Sequence, residues 1–389
     1  MALTDKLTAI GVAIREKTGK SDLLTLDQMP TEIASISGGG GGGGLPEEAF
    51  IISGRCEYKF AYDSWTWFLN SYKNQITTNN ITNCANMFRM IQQLDGYEIP
   101  FTINVNNCKD FSYMFYNSYL VKCAKIRGTI DWDVYGTTFD QMIDSVSWMQ
   151  SFDDLFTSEM IDEISSKMVI TSAYAAPKML RFNSCSAMRH VPEWFYHFKL
   201  QESSQYFPYY HIYDDLFNYC NALDEVRGLQ VWNCQGEKTD NMLGRTFRNC
   251  GRVKAITFET NEDGSPKVAK WKNQVLDLTT NVGFVVSTGN IGSHSGIHSQ
   301  NDWVKDDATY AALKDSPNWF TDSQYYSRYN HDSAVETINS LPDTSAVGGN
   351  NIIRFRGYSG LNTDGGAIST LTDEEKAVAT AKGWTVEIV

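Results

Sequence analysis

The 389-residue chain is poor in the features that announce most function classes. Positive charge is scarce: 33 Lys and Arg stand against 46 Asp and Glu, a formal charge of -13 and a pI near 4.9. Nucleic acid and anionic membrane surfaces repel such a chain, so neither is expected as a partner. The first 30 residues hold no long apolar run, and Met1 to Lys20 mixes acids with bases, so neither a secretion signal nor membrane insertion is expected and folding in a cytoplasm is. The eight cysteines, at 56, 84, 108, 123, 185, 220, 234 and 250, include no Cys-x-x-Cys pair, and reduced structural thiols are the expectation.

Catalytic and ligand-binding patterns are also missing. Gly19-Lys20-Ser21 looks like the end of a phosphate-binding loop, but Ile14 stands where the first glycine is required. His294 and His298 are four apart without a Glu following the first, among Gly and Ser, as in a surface loop rather than a metal site. Asp263-Gly264 and Asp364-Gly365 are turn formers with no series of acids to complete a calcium loop. Asp153-Asp154 and Asp214-Asp215 could be read as glycosidase carboxylates, yet each directly precedes a Leu-Phe pair, which marks a solvated corner. The expectation is no catalytic residue, no metal and no cofactor.

What the chain does have is a recurring phrase: an aromatic, small or polar residues often including Asn or Cys, a hydrophobic residue, and Val or Ile three positions later. Phe217-Asn218-Tyr219-Cys220 runs through Leu223 to Val226, and Phe247-Arg248-Asn249-Cys250 runs through Val253 to Ile256. Phe182 leads to Val191, Phe88 to Ile99, Phe115 loosely to Ile126 and Phe156 to Ile164. The six aromatics are spaced by 27, 41, 26, 35 and 30 residues, the range in which each copy is one turn of a solenoid. So short a unit cannot bury its own apolar face and must stack on its neighbours, with Val or Ile ending each phrase as a short parallel strand.

These phrases resemble BspA-like leucine-rich repeats, in the form found in proteins of bacterial viruses and gut bacteria, across most of residues 50 to 389. Ala255 to Gln274 and Leu371 to Val386 are similar to phrases of the phage versions. The resemblance implies an α/β repeat solenoid. Residues 1 to 37 form a separate unit, in which Leu3, Leu7, Ile10 and Ile14 lie on one helical stripe and Ile33 and Ile36 on the buried side of a second short helix. Such a pair is too small to stand alone and must cover its stripe with copies of itself or with another protein. This segment is similar to the N-terminal part of many phage tail and virion proteins, which implies attachment to other virion proteins and a homo-oligomer, by analogy a trimer.

The organisation read from the sequence is therefore an attachment and oligomerisation unit over 1–37, a polyglycine linker over 38–44, an aromatic-rich N-terminal cap over 45–81, irregular repeats over 82–285, an inserted loop region over 286–330 and a C-terminal repeat and cap over 331–389. Ser333 with Glu336 and Thr372 with Glu375 have capping-box spacing, and Gly383 can end the helix before a last strand from Trp384. Two aromatic clusters, around Tyr206, Tyr209, Tyr210 and Tyr213 and around Tyr325, Tyr326 and Tyr329, offer rings for contact with a host-surface glycan or protein. The expected function is a non-enzymatic virion protein of a bacterial virus, synthesised in the host cytoplasm, acting as a tail fibre or receptor-binding protein. The alternative is a head fibre or capsid decoration without a specific receptor, and an enzyme acting on surface glycans stands third.

Overall fold

Parallel strands joined by short turns and helices, an α/β mixture, carry the architecture of the chain. The computed structural model describes residues 10–12, 14–15, 47–131, 138–167, 181–197, 213–231, 243–280, 282–285, 326–327, 329–357 and 367–389. Strands β1 (Ile51–Arg55), β2 (Thr77–Asn83), β3 (Ile103–Cys108) and β4 (Ile126–Ile130) form a parallel sheet in chain order. Strand β5 (Glu225–Leu229) pairs in parallel with β6 (Ala255–Phe258). Strand β7 (Val275–Leu278) pairs with β10 (Asn351–Phe355) and that with β11 (Trp384–Ile388), again in parallel. Between them, β8 (Phe284–Val285) and β9 (Tyr326–Ser327) make a small antiparallel pair. Among the described residues, helices α1 (Thr66–Tyr72), α2 (Ser158–Lys167), α3 (His331–Ser340) and α4 (Asp373–Ala381) accompany the strands.

The chain turns ahead of each strand through a backbone pattern that alternates between local and cross-segment hydrogen bonds. The amides of Cys56, Tyr58, Phe60 and Tyr62 donate to the carbonyls of Asn83, Ala85, Met87 and Arg89 in the next segment, while Lys59 and Ala61 donate three residues back. The turn's amides from Tyr58 to Tyr62 are all used in this way, as burial demands. The same pattern joins Phe88 to Met114, Phe115 to Met142, Phe182 to Leu216 and Phe217 to Thr246. It places Phe60, Phe88, Phe115, Ile143, Phe182, Phe217 and Phe247 in equivalent positions, all essentially inaccessible to solvent.

Flat stacking accompanies this alignment. Phe60 and Phe88 lie 5.3 Å apart at 17°, Phe88 and Phe115 5.8 Å at 12°, Phe182 and Phe217 5.8 Å at 7°, and Phe217 and Phe247 5.6 Å at 15°. Each buried ring contributes about 1.5–3 kcal/mol through lost water contact, and stacking adds about 0.5–1.5 kcal/mol. The sequence reading chose Phe156 where the structure puts Ile143. Phe156 instead meets Phe139 and Trp194 edge-on, at 6.3 and 5.2 Å. The anchor position needs only a large apolar side chain, and Ile143 fills it without a ring. Phe60 is a further anchor, inside the region expected to be a cap.

Three residues beyond four of the seven anchors, Phe115, Phe182, Phe217 and Phe247, sits a small donor. Ser118 Oγ donates to the Phe88 carbonyl at 2.7 Å, Cys185 Sγ to Ile143 at 3.0 Å, Cys220 Sγ to Phe182 at 2.9 Å and Cys250 Sγ to Phe217 at 3.0 Å. These are anchor carbonyls one segment back, so the cysteines that mark the phrase hydrogen-bond adjacent segments together. All seven described cysteines are free thiols, and six of them are buried. Glycine is required at one strand contact: at Gly128, φ 114°, an added Cβ would stand 2.0 Å from the Val105 carbonyl of β3.

Helix α3 closes the exposed edge of β6 by side-chain chemistry. Ser333 Oγ and Thr337 Oγ1 donate to the carbonyls of Lys254 and Ile256, both at 2.6 Å, and Ser340 Oγ accepts from the Phe258 amide at 3.1 Å. Hydroxyls replace the next strand there, so the edge is covered. The helix starts one turn earlier than its Ser333–Glu336 spacing suggests: Asn330 is the N-cap and its side chain accepts from the Ser333 amide. Thr372 and Glu375 do form a reciprocal capping box, and Gly383, φ 80°, follows α4 before β11.

Candidate functional site

Seven described residues two places beyond the anchors have positive φ without being glycine: Tyr62, Met90, Asn117, Ser145, Ser184, Tyr219 and Asn249. Two places before the anchors, Tyr58, Asn86, Tyr113, Gln141 and Asp215 do the same. The left-handed conformation costs an L-residue about 1–2 kcal/mol, which is offset here by the cross-segment hydrogen bonds of the turn. Side chains at these positions flank a buried anchor, and all but the buried Asn86 are at least partly exposed. Tyr58, Tyr62 and Tyr219 are about half exposed, at 53%, 55% and 45%.

Around this corner Arg89 is held by rings. Its guanidinium carbon lies 5.9 Å from the Tyr62 ring centre, 5.1 Å from Tyr113 and 5.2 Å from Tyr116, and Nη1 donates to Asn86 Oδ1 at 3.1 Å. Gln141 Nε2 donates to the Tyr113 hydroxyl at 2.7 Å. Burial, then the charge of Asp140, raises the Tyr113 phenol above its ordinary range, so it stays protonated at neutral pH. The cation, on the middle of three successive segments, holds one ring from the segment before it and two from the segment after it.

A concavity of about 790 Å³ is lined by residues from three stretches, 98–102 before β3, 121–125 before β4 and 150–154 beyond it. Glu98, Phe101, Lys122, Lys125, Gln150 and Asp154 are among its lining residues. Lys122 pairs with Glu98 at 2.5 Å and Lys125 with Asp154 at 3.8 Å. Arg127 of β4 fixes the far wall by donating to the carbonyls of Asp154 and Leu155, and His190 meets Asp153 at 2.6 Å. Phe101 packs against Phe60 and Phe88, 6.4 and 6.3 Å between ring centres. Cys123 also lines the groove. Burial first, then the charges of Asp154 and Asp153, pushes its thiol up to about 12, so it is no thiolate nucleophile at neutral pH.

The residues singled out in the sequence fare unevenly. Tyr206, Tyr209, Tyr210 and Tyr325 lie outside the described residues, as do Leu3, Leu7, Ile33, Ile36 and both histidines of the 294–298 pair. Tyr326 is in β9, with Val285 as its strand partner. Ile10 and Ile14 are both helical, Ile10 half-buried and Ile14 buried, with Val12 exposed between them. Tyr213 and Tyr329, at the edges of the two aromatic clusters, are core and not surface. Tyr213 is fully buried with its hydroxyl on the Gln230 carbonyl, and Tyr329 is buried against Thr337 and Phe355. Asp214 and Asp215 are not a solvated corner: both close on Arg245, at 2.6 and 3.0 Å, with only 16% and 17% of their side chains exposed.

The sequence reading missed Tyr58, Tyr62 and Arg89 because their spacing on either side of Phe60 becomes informative only once Phe60 is recognised as an anchor. Among the described residues no group of three His, Cys, Asp or Glu is arranged to hold a metal, and no helix is long and apolar enough to cross a membrane. No protein-family model matches the chain, and neither a curated protein nor a solved structure is detectably similar to it.

Proposed function

We propose that this chain is a non-enzymatic virion protein of a bacterial virus, a tail fibre or receptor-binding protein whose body is an irregular BspA-like leucine-rich-repeat solenoid. The observation that carries the reading is the two runs of stacked anchors, Phe60–Phe88–Phe115 and Phe182–Phe217–Phe247, bonded through their turns to the following segments. In that arrangement anchors and strands are committed to packing, which leaves recognition to the corners and grooves. The rigid tyrosine corner around Arg89 suits contact with a host surface. Free thiols agree with synthesis in a reducing bacterial cytoplasm. Residues 1–37 attach the protein to other virion proteins and drive its trimerisation, and the glycines at 38–44 act as a joint.

Mass spectrometry of purified virions is the first test, with sedimentation of the full chain beside a chain starting at Leu45. The expected outcome is a stoichiometric particle protein, trimeric only with its first segment. Absence from the particle overturns the reading. Presence on the capsid without saturable binding to host cells replaces it with a decoration role, and equal monomeric masses remove the trimer.

A further inference from the structure

We propose that the groove between Glu98–Thr102, Val121–Lys125 and Gln150–Asp154 binds a neutral oligosaccharide. The biological role of this site rests on the attachment reading, whereas its chemistry rests on the lining alone. At about 790 Å³ the groove is within the usual range for a small-molecule site. Two ammonium groups, Lys122 and Lys125, are matched by two carboxylates, Glu98 and Asp154. An anionic ligand would be brought against both carboxylates in a chain of net charge -13, and a cationic one against both lysines. A polyhydroxylated neutral ligand is opposed by neither.

Each ion pair sets an acceptor beside a donor, the arrangement that adjacent sugar hydroxyls can bridge, since every hydroxyl both donates and accepts. The Gln150 amide and the Thr102 hydroxyl, both half-buried on the same lining, make no side-chain hydrogen bond among the described residues and add further donors and acceptors. Phe101, braced by Phe60 and Phe88, contributes an apolar surface that keeps its shape, suited to the C–H face of a sugar ring. An extended peptide is the weaker fit, because it would need a free strand edge and β3 is already paired with both β2 and β4.

The full-length protein is titrated by calorimetry with hexasaccharides of glucose, mannose, galactose and N-acetylglucosamine, beside uronic-acid and sialylated oligosaccharides and an unstructured decapeptide. Saturable binding of at least one neutral saccharide is expected. Lys122→Ala, on a side chain 69% exposed and so safe for folding, should weaken it about tenfold, and Gln150→Ala about fivefold, both with unchanged thermal midpoint. Tyr58→Ala, at an exposed residue that is not part of the groove lining, should leave it unchanged. The proposal is overturned if no neutral saccharide binds, if only acidic saccharides or the peptide bind, or if neither groove substitution weakens binding. Lys122→Ala protein that still attaches fully to host cells removes the groove from attachment and leaves the virion reading standing. Saccharide binding by a protein absent from virions does the reverse.

Discussion

The small donor three residues beyond Phe115, Phe182, Phe217 and Phe247 links two segments through one atom. Cys220 Sγ donates to the Phe182 carbonyl while its own segment stacks Phe217 on Phe182. Burial raises this thiol well above its ordinary pKa, with the neighbouring Cys250 and Cys185 next in effect, so it remains a donor at any physiological pH. Ser118 performs the same task with a hydroxyl, which shows that the position selects a small donor and not sulfur chemistry. Cys220→Ser is therefore expected to be more stable than Cys220→Ala by about 1 kcal/mol, against the usual penalty for a buried hydroxyl, because Ala leaves the Phe182 carbonyl without its donor. Urea unfolding of the two variants decides it. If Ala matches or exceeds Ser, the thiol is merely filling space.

At the scale of elements, α3 and α4 are joined by charge at their starts. His331 lies 3.2 Å from Glu375 and 3.3 Å from Asp332. Burial alone would lower the His331 pKa, but the hydrogen bonds to Asp332 and Glu375 and their charges outweigh it and raise the value above 6.5. Glu375 is held below 4.5, first by the Thr372 amide. A raised histidine gives stability that is complete below the unfolded pKa and disappears as pH rises through the folded one. A depressed carboxylate gives stability present above its unfolded pKa and lost as pH falls through the folded one. The margin of the wild type over His331→Gln should thus be widest between pH 4.5 and 6.5 and shrink as pH rises further, read from thermal midpoints across pH. A constant margin from pH 5 to 9 would remove the link. Much at this scale was legible in the chain: the Thr372–Glu375 capping box, Gly383 and the strand from Trp384 were each placed by spacing and residue type. Asn330 as the N-cap of α3 was not, since Ser333 has the same chemistry and only the fold decides that its hydroxyl goes to Lys254. Nor were the left-handed turn positions, because Tyr, Met and Ser carry no propensity for them and are held there by bonds between segments.

Across the whole molecule, apolar burial is continuous from Phe50 to Trp384, yet its ring contacts join neighbouring segments. The regularity of those contacts is what the phrase made visible, while Ile143 and Phe60 escaped because the first lacks a ring and the second lies among seven other aromatics. A chain with such connectivity, on the solenoid reading, has stability that is a sum over neighbours, and local damage is not shared by every segment. Phe182 is the place to test this. It stacks on Phe217 and touches Phe152, Trp194 and Phe195 at 5.7, 6.0 and 5.4 Å, in the middle of the sequence. Phe182→Ala removes a fully buried ring at a local cost of about 3–5 kcal/mol. Hydrogen exchange followed by mass spectrometry should then show protection falling between residues 138 and 231 and surviving at β1 to β3 and at β10 and β11. A uniform loss of protection along the chain would mean that the protein unfolds as one unit, and nearest-neighbour packing would no longer account for its stability.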